Sequence, residues 1–164
     1  MNIIINKRIL KYKGHKFRCS IGKSGFSRSK EEGDFTTPKG VFKLGTLYFR
    51  KDRIKSLKSK LKKKIIKKNM GWCDDSRSRK YNQEIKFPFQ YNAEKLFRKN
   101  SFYDIFINIK YNQNPVKKGK GSAIFIHVAQ SGYKPTKGCV ALNLNDLLEL
   151  LKSCDENTRL IISP

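Results

Sequence analysis

Hydrophobic and polar residues alternate over several short stretches of the chain, a pattern typical of half-buried β-strands. Residues 2–12 and 16–21 alternate on either side of a polar Lys13-Gly14-His15 segment, and we expect them to form a hairpin. Pro38 and Gly40 predict a turn, and residues 41–44 just after it are predicted to continue as a strand.

Longer apolar runs in the second half of the chain predict buried strands. These runs are residues 102–111, 122–129 and 159–163. The segment 54–66 is ambiguous, because its apolar residues roughly follow one face of a helix while most of them also fit strand alternation. The pattern leaves both structures open there.

Short helices are predicted at two places. In residues 92–100, Asn92 can cap a helix that continues with Glu94. Residues 145–153 form an amphipathic pattern with Asn145 as the candidate cap. Strands outnumber helices, and we find no internal repeat and no linker. The chain is therefore predicted to be mainly β and to form a single domain over its 164 residues.

The positive charge of the chain is unevenly distributed. The net charge is +24, from 37 basic and 13 acidic residues, but residues 123–164 contain four of each sign. The densest stretch, residues 50–68, has eleven basic residues and one acid. Such a stretch attracts polyanions, namely nucleic acid, acidic lipid headgroups or anionic wall polymers. A solvated lysine-rich surface gives the same pattern, and both interpretations stay open.

The cysteines do not form a recognisable metal or redox motif. Cys19, Cys73, Cys139 and Cys154 share no CxxC spacing, which disfavours a zinc ribbon or a thioredoxin-like pair. Four cysteines in a domain of this size are also unlike a disulfide-dense secreted scaffold. We expect Cys139 to be a free thiol, and disulfides among the other three stay open.

One histidine and one cysteine stand close together in the sequence. His127 ends an apolar strand, and alternation places it on the face opposite Ile126. The loop that follows is long enough to fold Cys139 back beside His127. An imidazole in that position can take the thiol proton and hold the ion pair. The alternative is a buried cysteine and a core histidine without chemistry.

The residue before the cysteine suits a nucleophile. Gly138 lets the backbone turn sharply, and its carbonyl can orient the imidazole of His127 where triad enzymes use a carboxylate. The backbone N–H groups of residues 137–139 can form an oxyanion hole for acyl transfer.

These residues lie in a pattern that resembles the catalytic signature of the L,D-transpeptidase (YkuD) family. That signature is a histidine that closes a strand, here His127, followed by Ser/Thr-x-Gly-Cys-Val-x-Leu, here residues 136–142 (TKGCVAL). The upstream T-P-x-G-x-F of the family stands at residues 37–42. Further matches resemble a branch found widely in proteobacteria: residues 71–75 (GWCDD), 81–82 (YN), 93–94 (AE), 103–104 (YD), 111–112 (YN) and 121–127 (GSAIFIH).

The resemblance implies a mostly β sandwich that cross-links peptidoglycan. The family's cysteine attacks the amide between the third and fourth residues of a stem tetrapeptide, releases D-Ala, and passes the acyl group to a diaminopimelate amine. Carried over, Cys139 is the nucleophile, His127 the general base and then acid, and the Gly138 carbonyl the orienting group, within a motif that includes Thr136 and Lys137. No metal or cofactor is implied.

This chain departs from many members of the family at two positions. Lys137 stands where many have histidine, and Ala141 where many have an arginine that is a candidate carboxylate binder. Recognition of the donor stem is therefore expected to differ.

A set of polar and aromatic residues is expected to bind substrate: Trp72, Asp75, Tyr81, Asn82 and Ser122. An aspartate can pair with the diaminopimelate ammonium, and an aromatic face can pack on the peptide. The alternative is that Trp72 belongs to the core and that Asp74-Asp75 caps a turn.

Two rival functions stay open at this point. Water in place of the acceptor amine makes the same site an L,D-carboxypeptidase, and a basic nucleic-acid-binding domain accounts for the charge without chemistry. No apolar run approaches the ~18 residues of a membrane span, and Ile3–Ile5 is too short for a signal peptide. For a wall enzyme we nevertheless expect the periplasm or cell envelope, with the basic stretch 50–68 contacting anionic wall or membrane surfaces.

Overall fold

The computed structural model describes residues 1–163, which contain fourteen strands, one α-helix and one short 3-10 helix. The strands are β1 (Ile3–Asn6), β2 (Ile9–Tyr12), β3 (His15–Arg18), β4 (Phe26–Ser27), β5 (Thr37–Pro38), β6 (Gly40–Phe49), β7 (Lys63–Ile65), β8 (Met70–Cys73), β9 (Glu84–Lys86), β10 (Ala93–Lys95), β11 (Ile105–Ile109), β12 (Phe125–Val128), β13 (Val140–Leu142) and β14 (Arg159–Ile162). The helix α1 spans Leu144–Leu151, and the 3-10 helix spans Ser131–Tyr133.

Most strands join one large sheet. Its order is β13-β12-β11-β6-β14-β1-β2-β3, and β7 pairs with β6 beside this path. A three-stranded sheet has the order β10-β8-β9, and β4 and β5 form a separate pair. The mainly β fold expected from the alternation is confirmed.

The two faces of β11 and β12 contact different hydrophobic clusters. Ile105, Ile107 and Ile109 of β11 belong to a large, mostly aliphatic cluster, which we call the main core. Phe106 and Phe125 point the other way, into a second cluster that we call the aromatic cluster. Neighbouring segments contribute Tyr48, Met70, Trp72 and Tyr103 to it. Because Met70 and Trp72 lie in β8, the aromatic cluster fills the space between the two sheets.

The two ends of the large sheet meet. Just after β3, the Ser20 amide donates to the Ala141 carbonyl at 2.8 Å, and the Ala141 amide donates to the Ser20 carbonyl at 3.0 Å. Gly22 forms a similar bridge to Thr136. These contacts satisfy backbone groups that a sheet edge otherwise leaves open.

The hairpin predicted at the N-terminus has its turn where we expected it, but it contains three strands instead of two. Lys13-Gly14 does reverse the chain between β2 and β3, with both residues at positive φ. Residues 2–12, however, form two strands, because a second polar turn at Lys7-Arg8 reverses the chain while apolar side chains continue to face the main core.

The helix predicted at residues 92–100 is wrong. Ala93–Lys95 forms β10 and pairs antiparallel with β8. Nine residues are too few for a stable isolated helix, so tertiary pairing decides the structure. The C-terminal helix is confirmed, but it begins at Leu144, and its cap is Asn143, whose Oδ1 accepts from the Asp146 amide at 2.8 Å.

Most of the ambiguous segment has no regular structure. Of residues 54–66, only Lys63–Ile65 forms a strand, while Ile54 and Leu61 are buried in the main core. The lysines between them are exposed, and like charges three or four residues apart oppose a helix there.

The three strands predicted in the second half of the chain are confirmed with shorter bounds, as β11, β12 and β14, and the strand predicted at 41–44 is the first half of β6. All four cysteines are free and buried, as expected for Cys139. None of the helices in residues 1–163 has the length and apolar character needed to cross a membrane.

Candidate active site

The thiol of Cys139 lies at the point where a turn enters β13. The residue is only 8 % exposed. Its Sγ donates to the Ala123 carbonyl at 3.1 Å and accepts from the Phe125 amide at 3.4 Å. Both partners belong to the segment that leads into β12, so the sulfur is held against the neighbouring strand in its resting position.

Thr136 shapes the turn before the cysteine. Its Oγ1 accepts from the Gly138 amide at 3.1 Å and donates to the Cys139 carbonyl at 2.6 Å. Gly138 has φ near +143°, and a Cβ there would lie 2.8 Å from the Thr36 carbonyl oxygen. The turn therefore requires glycine, and the Thr136 hydroxyl closes it.

The same turn limits the predicted oxyanion hole. The Gly138 amide already donates to Thr136, so it is engaged inside the turn. Within residues 1–163, no backbone partner is found for the Cys139 amide. Of the three amides proposed from the sequence, those of Lys137 and Cys139 have no backbone partner within residues 1–163 and are suited to a developing negative charge on a substrate oxygen.

His127 is oriented by its own strand. It lies in β12 opposite Ala141 of β13, and its Nδ1 is 2.8 Å from the Val128 carbonyl oxygen. A carbonyl can only accept, so Nδ1 carries the proton and Nε2 is the basic nitrogen. The prediction that the Gly138 carbonyl orients the imidazole is wrong, because the adjacent Val128 carbonyl is already within reach. The ring of Tyr103 packs edge-on against the imidazole at 5.5 Å.

Burial keeps both reactive groups neutral at rest. Desolvation raises the pKa of the Cys139 thiol to about 12, and the Glu94 carboxylate raises it as well. Desolvation lowers the pKa of His127 to about 4, partly opposed by its bond to Val128. A standing thiolate–imidazolium pair, which the sequence left possible, is therefore disfavoured at rest.

Three side chains that the sequence analysis gave no role form a wall beside the pair. Tyr103 donates to Glu94 Oε1 at 2.7 Å, and Arg98 donates to the same oxygen at 2.7 Å. The Arg98 guanidinium also lies 4.6 Å from the centre of the Tyr103 ring. The matches at 93–94 and 103–104 pointed to this region, but no local pattern shows that β10 and the chain before β11 meet.

These groups open into one cleft of about 570 Å³. Five residues predicted for the site line it or stand at its floor: Cys139, His127, Thr136, Lys137 and Ser122. Gly138 lies directly behind Cys139. The structure therefore brings the predicted catalytic residues and one residue of the predicted binding set to the same cleft.

The other four residues of the predicted binding set do not line this cleft. Trp72 is 3 % exposed and packs edge-on against Phe125 at 5.1 Å, inside the aromatic cluster. Tyr81 is 1 % exposed and donates to Glu32. Large aromatic side chains gain most from burial, and their polar atoms here find internal partners. Trp72 and Tyr81 thus support the fold instead of contacting substrate.

Asn82 connects this support to the reactive centre. Its Oδ1 accepts from Trp72 Nε1 at 3.0 Å and from the Ala123 amide at 3.1 Å. Its Nδ2 donates to the Tyr111 and Asn112 carbonyls. The side chain is completely engaged, and through Ala123 it fixes the carbonyl that receives the Cys139 thiol.

Asp75 is a turn cap, and its neighbour faces the cleft. Asp75 accepts from the Arg77 side chain and amide and from the Asn92 amide, and these bonds hold its pKa well below the ordinary value. Asp74 lines the cleft, and its Oδ1 is buried without a hydrogen-bond partner. Desolvation, and then the Asp75 charge, raise the pKa of Asp74.

No metal site accompanies the cleft. Across residues 1–163, no group of three or more histidine, cysteine, aspartate or glutamate side chains is arranged to hold a metal ion. The chemistry available in the cleft is that of a thiol, an imidazole and the charged groups around them.

A family model for the YkuD L,D-transpeptidase catalytic domain matches residues 3–162. The chain belongs to the YkuD family. That family is the one of the L,D-transpeptidase catalytic domain, and the mainly β fold described above is the one expected of it.

A solved structure gives a weaker likeness. The helical cell shape determining protein Pgp2 from Campylobacter jejuni is 16 % identical, with a TM-score of 0.49. The match covers 99 % of this chain and 46 % of that protein, so the chain spans about half of its length. A comparison with curated proteins finds no match.

Proposed function

We propose that this YkuD protein is a cysteine acyl-transferase in which Cys139 attacks the stem peptide and His127 moves the proton. The observation that carries the proposal is the meeting of a free thiol and a Nδ1-protonated imidazole in one cleft. We further propose that residues 1–164 work as one catalytic domain.

The acylation step follows from the neutral resting pair. Nε2 of His127 takes the Sγ proton as the sulfur attacks the carbonyl carbon of the amide before the terminal D-Ala. The carbonyl electrons move to oxygen, which the Cys139 amide stabilises. Nε2 then returns the proton to the leaving nitrogen of D-Ala, and the C–N bond breaks to leave a thioester on Cys139.

The second step reverses the proton movement. An amine of a neighbouring diaminopimelate attacks the thioester carbon, and His127 takes a proton from that amine. The sulfur leaves and regains a proton, which completes a cross-link. Water in place of the amine gives an L,D-carboxypeptidase, the alternative for the same site. The groups around the cleft accommodate either acceptor.

The proposal is tested by mass spectrometry of the protein incubated with a disaccharide-tetrapeptide, beside Cys139→Ala. A cross-linked dimer that lacks one D-Ala, absent with the variant, is the expected product. A monomer shortened by D-Ala identifies the carboxypeptidase instead. Absence of both products and of any thioester adduct with a carbapenem on Cys139 would refute acyl transfer.

We propose that the protein works in the periplasm or cell envelope, where a peptidoglycan substrate would be met, and that the basic stretch 50–68 contacts anionic surfaces there. Within residues 1–163, Lys64 is the one lysine of this stretch with a carboxylate partner, and the others are exposed. Arg50 and Arg53 instead pair with Asp52 and Asp104 and stabilise the fold.

The surface proposal is tested by sedimentation with purified sacculi. Replacement of Lys58, Lys60, Lys67 and Lys68 by glutamate is expected to remove most of the bound fraction at about 0.15 M salt, where exposed charges still act over ~8 Å. The matched control changes four exposed lysines elsewhere, Lys7, Lys11, Lys16 and Lys23, with the same change in net charge. Equal losses in both variants would show that only total charge matters.

A further inference from the structure

A lysine with no role in the reaction described above is buried at the floor of the cleft. Lys30 is 5 % exposed and lines the cleft together with Cys139. Lysine is almost never fully buried without a partner, because removing its charge from water is costly. A buried ammonium at this position therefore needs a reason.

Two glycines make room for the Lys30 side chain. A Cβ on Gly138 would lie 3.2 Å from Lys30 Nζ, and a Cβ on Gly121 would lie 2.9 Å from Lys30 Cε. Both glycines have positive φ. The turn that carries Cys139 and the turn that precedes Ser122 thus close over the ammonium, and its charge lies directly beneath the nucleophile's turn.

Asp34 holds the ammonium in place from the outer side. Its Oδ1 is 2.7 Å from Lys30 Nζ, and the aspartate side chain is 25 % exposed where that of Lys30 is 4 %. The same carboxylate accepts from the Glu31 amide and from the amide and hydroxyl of Thr36. Burial alone raises the pKa of Asp34, but the bonds from Lys30 and these groups outweigh it and lower the pKa to about 2.

Besides Lys30, the charged side chains of Glu94 and Arg98 act on the pKa of the Cys139 thiol. Glu94, from β10, raises the pKa of the thiol, and Lys30 and Arg98 lower it. Arg98 and Lys30 are each paired with a carboxylate at 2.7 Å, Glu94 and Asp34 respectively. Of these two carboxylates Glu94 raises the thiol pKa and so opposes Arg98, whereas Asp34 lies on the outer side of Lys30. His127 and Tyr103 are neutral near pH 7, since burial lowers the pKa of one and raises that of the other.

We propose that Lys30 is a fixed buried cation that stabilises the negative charge developing on Cys139 and on the attacked carbonyl oxygen. It gives up no proton during the reaction. Its charge acts through the turn, and the burial of both Lys30 and Cys139 strengthens the interaction relative to water. The inference rests on the proposed function for the acyl-transfer step, but its effect on the thiol is independent of any substrate.

The test follows alkylation of Cys139 at pH 6 to 9, with each cysteine resolved by peptide mass spectrometry. Iodoacetamide, which is neutral, and iodoacetate, which carries a carboxylate, are compared. If the pKa of the thiol rises by one unit in Lys30→Met, the thiolate concentration falls tenfold. The more basic thiolate is about threefold more nucleophilic, so part of the lost rate is recovered. We therefore expect alkylation by both reagents to slow about threefold at every pH.

Two control variants distinguish the loss of the Lys30 charge from a disturbance of the surrounding structure. Lys30→Arg keeps the charge and is expected to stay within about twofold of the wild type, as is Lys23→Met, which removes an exposed lysine of the same loop. Should Lys30→Met fail to fold, the double variant Lys30→Met/Asp34→Asn removes both partners and leaves no unpaired buried charge.

Distinct results overturn the inference. A folded Lys30→Met variant that reacts at the wild-type rate contradicts it, and so does a loss confined to iodoacetate, which would make Lys30 a binder of substrate carboxylates. Because alkylation needs no peptidoglycan, a failure of the proposed function appears separately, as absent turnover with an intact Lys30 effect.

Discussion

The two faces of β12 contact regions that are built in different ways. On one face, Ile126 and Val128 pack into the main core, which is mostly aliphatic. On the other, Phe125 and His127 meet the aromatic cluster and the cleft, where tyrosine, asparagine and glutamate side chains are joined by specific hydrogen bonds. Aliphatic packing depends on volume and tolerates exchange, whereas each bond of a buried polar network needs its own partner. The comparison suggests that stability depends mainly on the first region and reactivity on the second.

The largest effect is expected from a variant that leaves a cavity in the main core, the region on which stability should mainly depend. Ile107 is fully buried in β11, and Ile107→Ala is expected to lower the free energy of unfolding by about 3 kcal/mol, from lost burial and the cavity left behind. Ile4→Ala, at a position 41 % exposed in β1, is the matched control and should cost much less. Urea unfolding measures both. Equal losses would show that the main core is not where stability is concentrated.

The next test removes the side chain of Asn82, whose hydrogen bonds connect Trp72 of the aromatic cluster to Ala123. Asn82→Ala leaves Trp72 Nε1 and the Ala123 amide without their acceptor and should cost about 2 kcal/mol of unfolding free energy. Exposed Asn157→Ala serves as the control. The KM for a stem peptide, measured well below the melting temperature, should stay near wild type. A large rise in KM with unchanged stability would restore Asn82 to the binding set.

A smaller effect is expected at the turn of the nucleophile. Thr136→Val removes the hydroxyl that bridges the Gly138 amide and the Cys139 carbonyl, and acylation by a carbapenem should slow about tenfold, or about 1.4 kcal/mol. Thr136→Ser should restore most of the rate. Thr136→Val should lower the free energy of unfolding by less than Ile107→Ala does. A larger loss of stability in Thr136→Val would contradict the view that stability depends mainly on the main core.

The smallest effect concerns the pH dependence of stability. The pKa of His127 is lowered to about 4 in the folded protein, against about 6.5 when unfolded. Between those values the unfolded chain binds more protons, so stability falls as the pH drops from about 6.5 towards 4. Urea unfolding at pH 7 and about pH 5.5 should show about 1 kcal/mol more loss in the wild type than in His127→Gln. Identical losses would mean that the imidazole is not desolvated.

The alternation of apolar residues was sufficient to predict most of the main core. β11, β12 and β14 carry strong apolar runs, so their existence follows from local sequence. β10 was missed because Ala93–Lys95 has no strand signal of its own and is held by pairing with β8. Long-range pairing of this kind is invisible in a local pattern.

The meeting of Cys139 and His127 in one cleft was predictable from the sequence, and the contacts around them were not. Cys139 and His127 are recognisable from spacing and motif, but the partner of the imidazole is the Val128 carbonyl, which depends on a side-chain rotation. Trp72 and Asn82 were assigned to substrate because the motif around them is conspicuous, although it serves the interior. Lys30 carries no motif signal, since its importance depends on two glycines about ninety residues away or more.

The bridge between Ser20 and Ala141 affects the order in which the site can be completed. During synthesis Ser20 is made about 120 residues before Ala141, so the bridge beside Cys139 forms only after the chain between them has been made. Contacts between residues so far apart in sequence close slowly. A growing chain therefore holds the Cys139 thiol outside an assembled cleft until β13 is available to pair both with β12 and with Ser20.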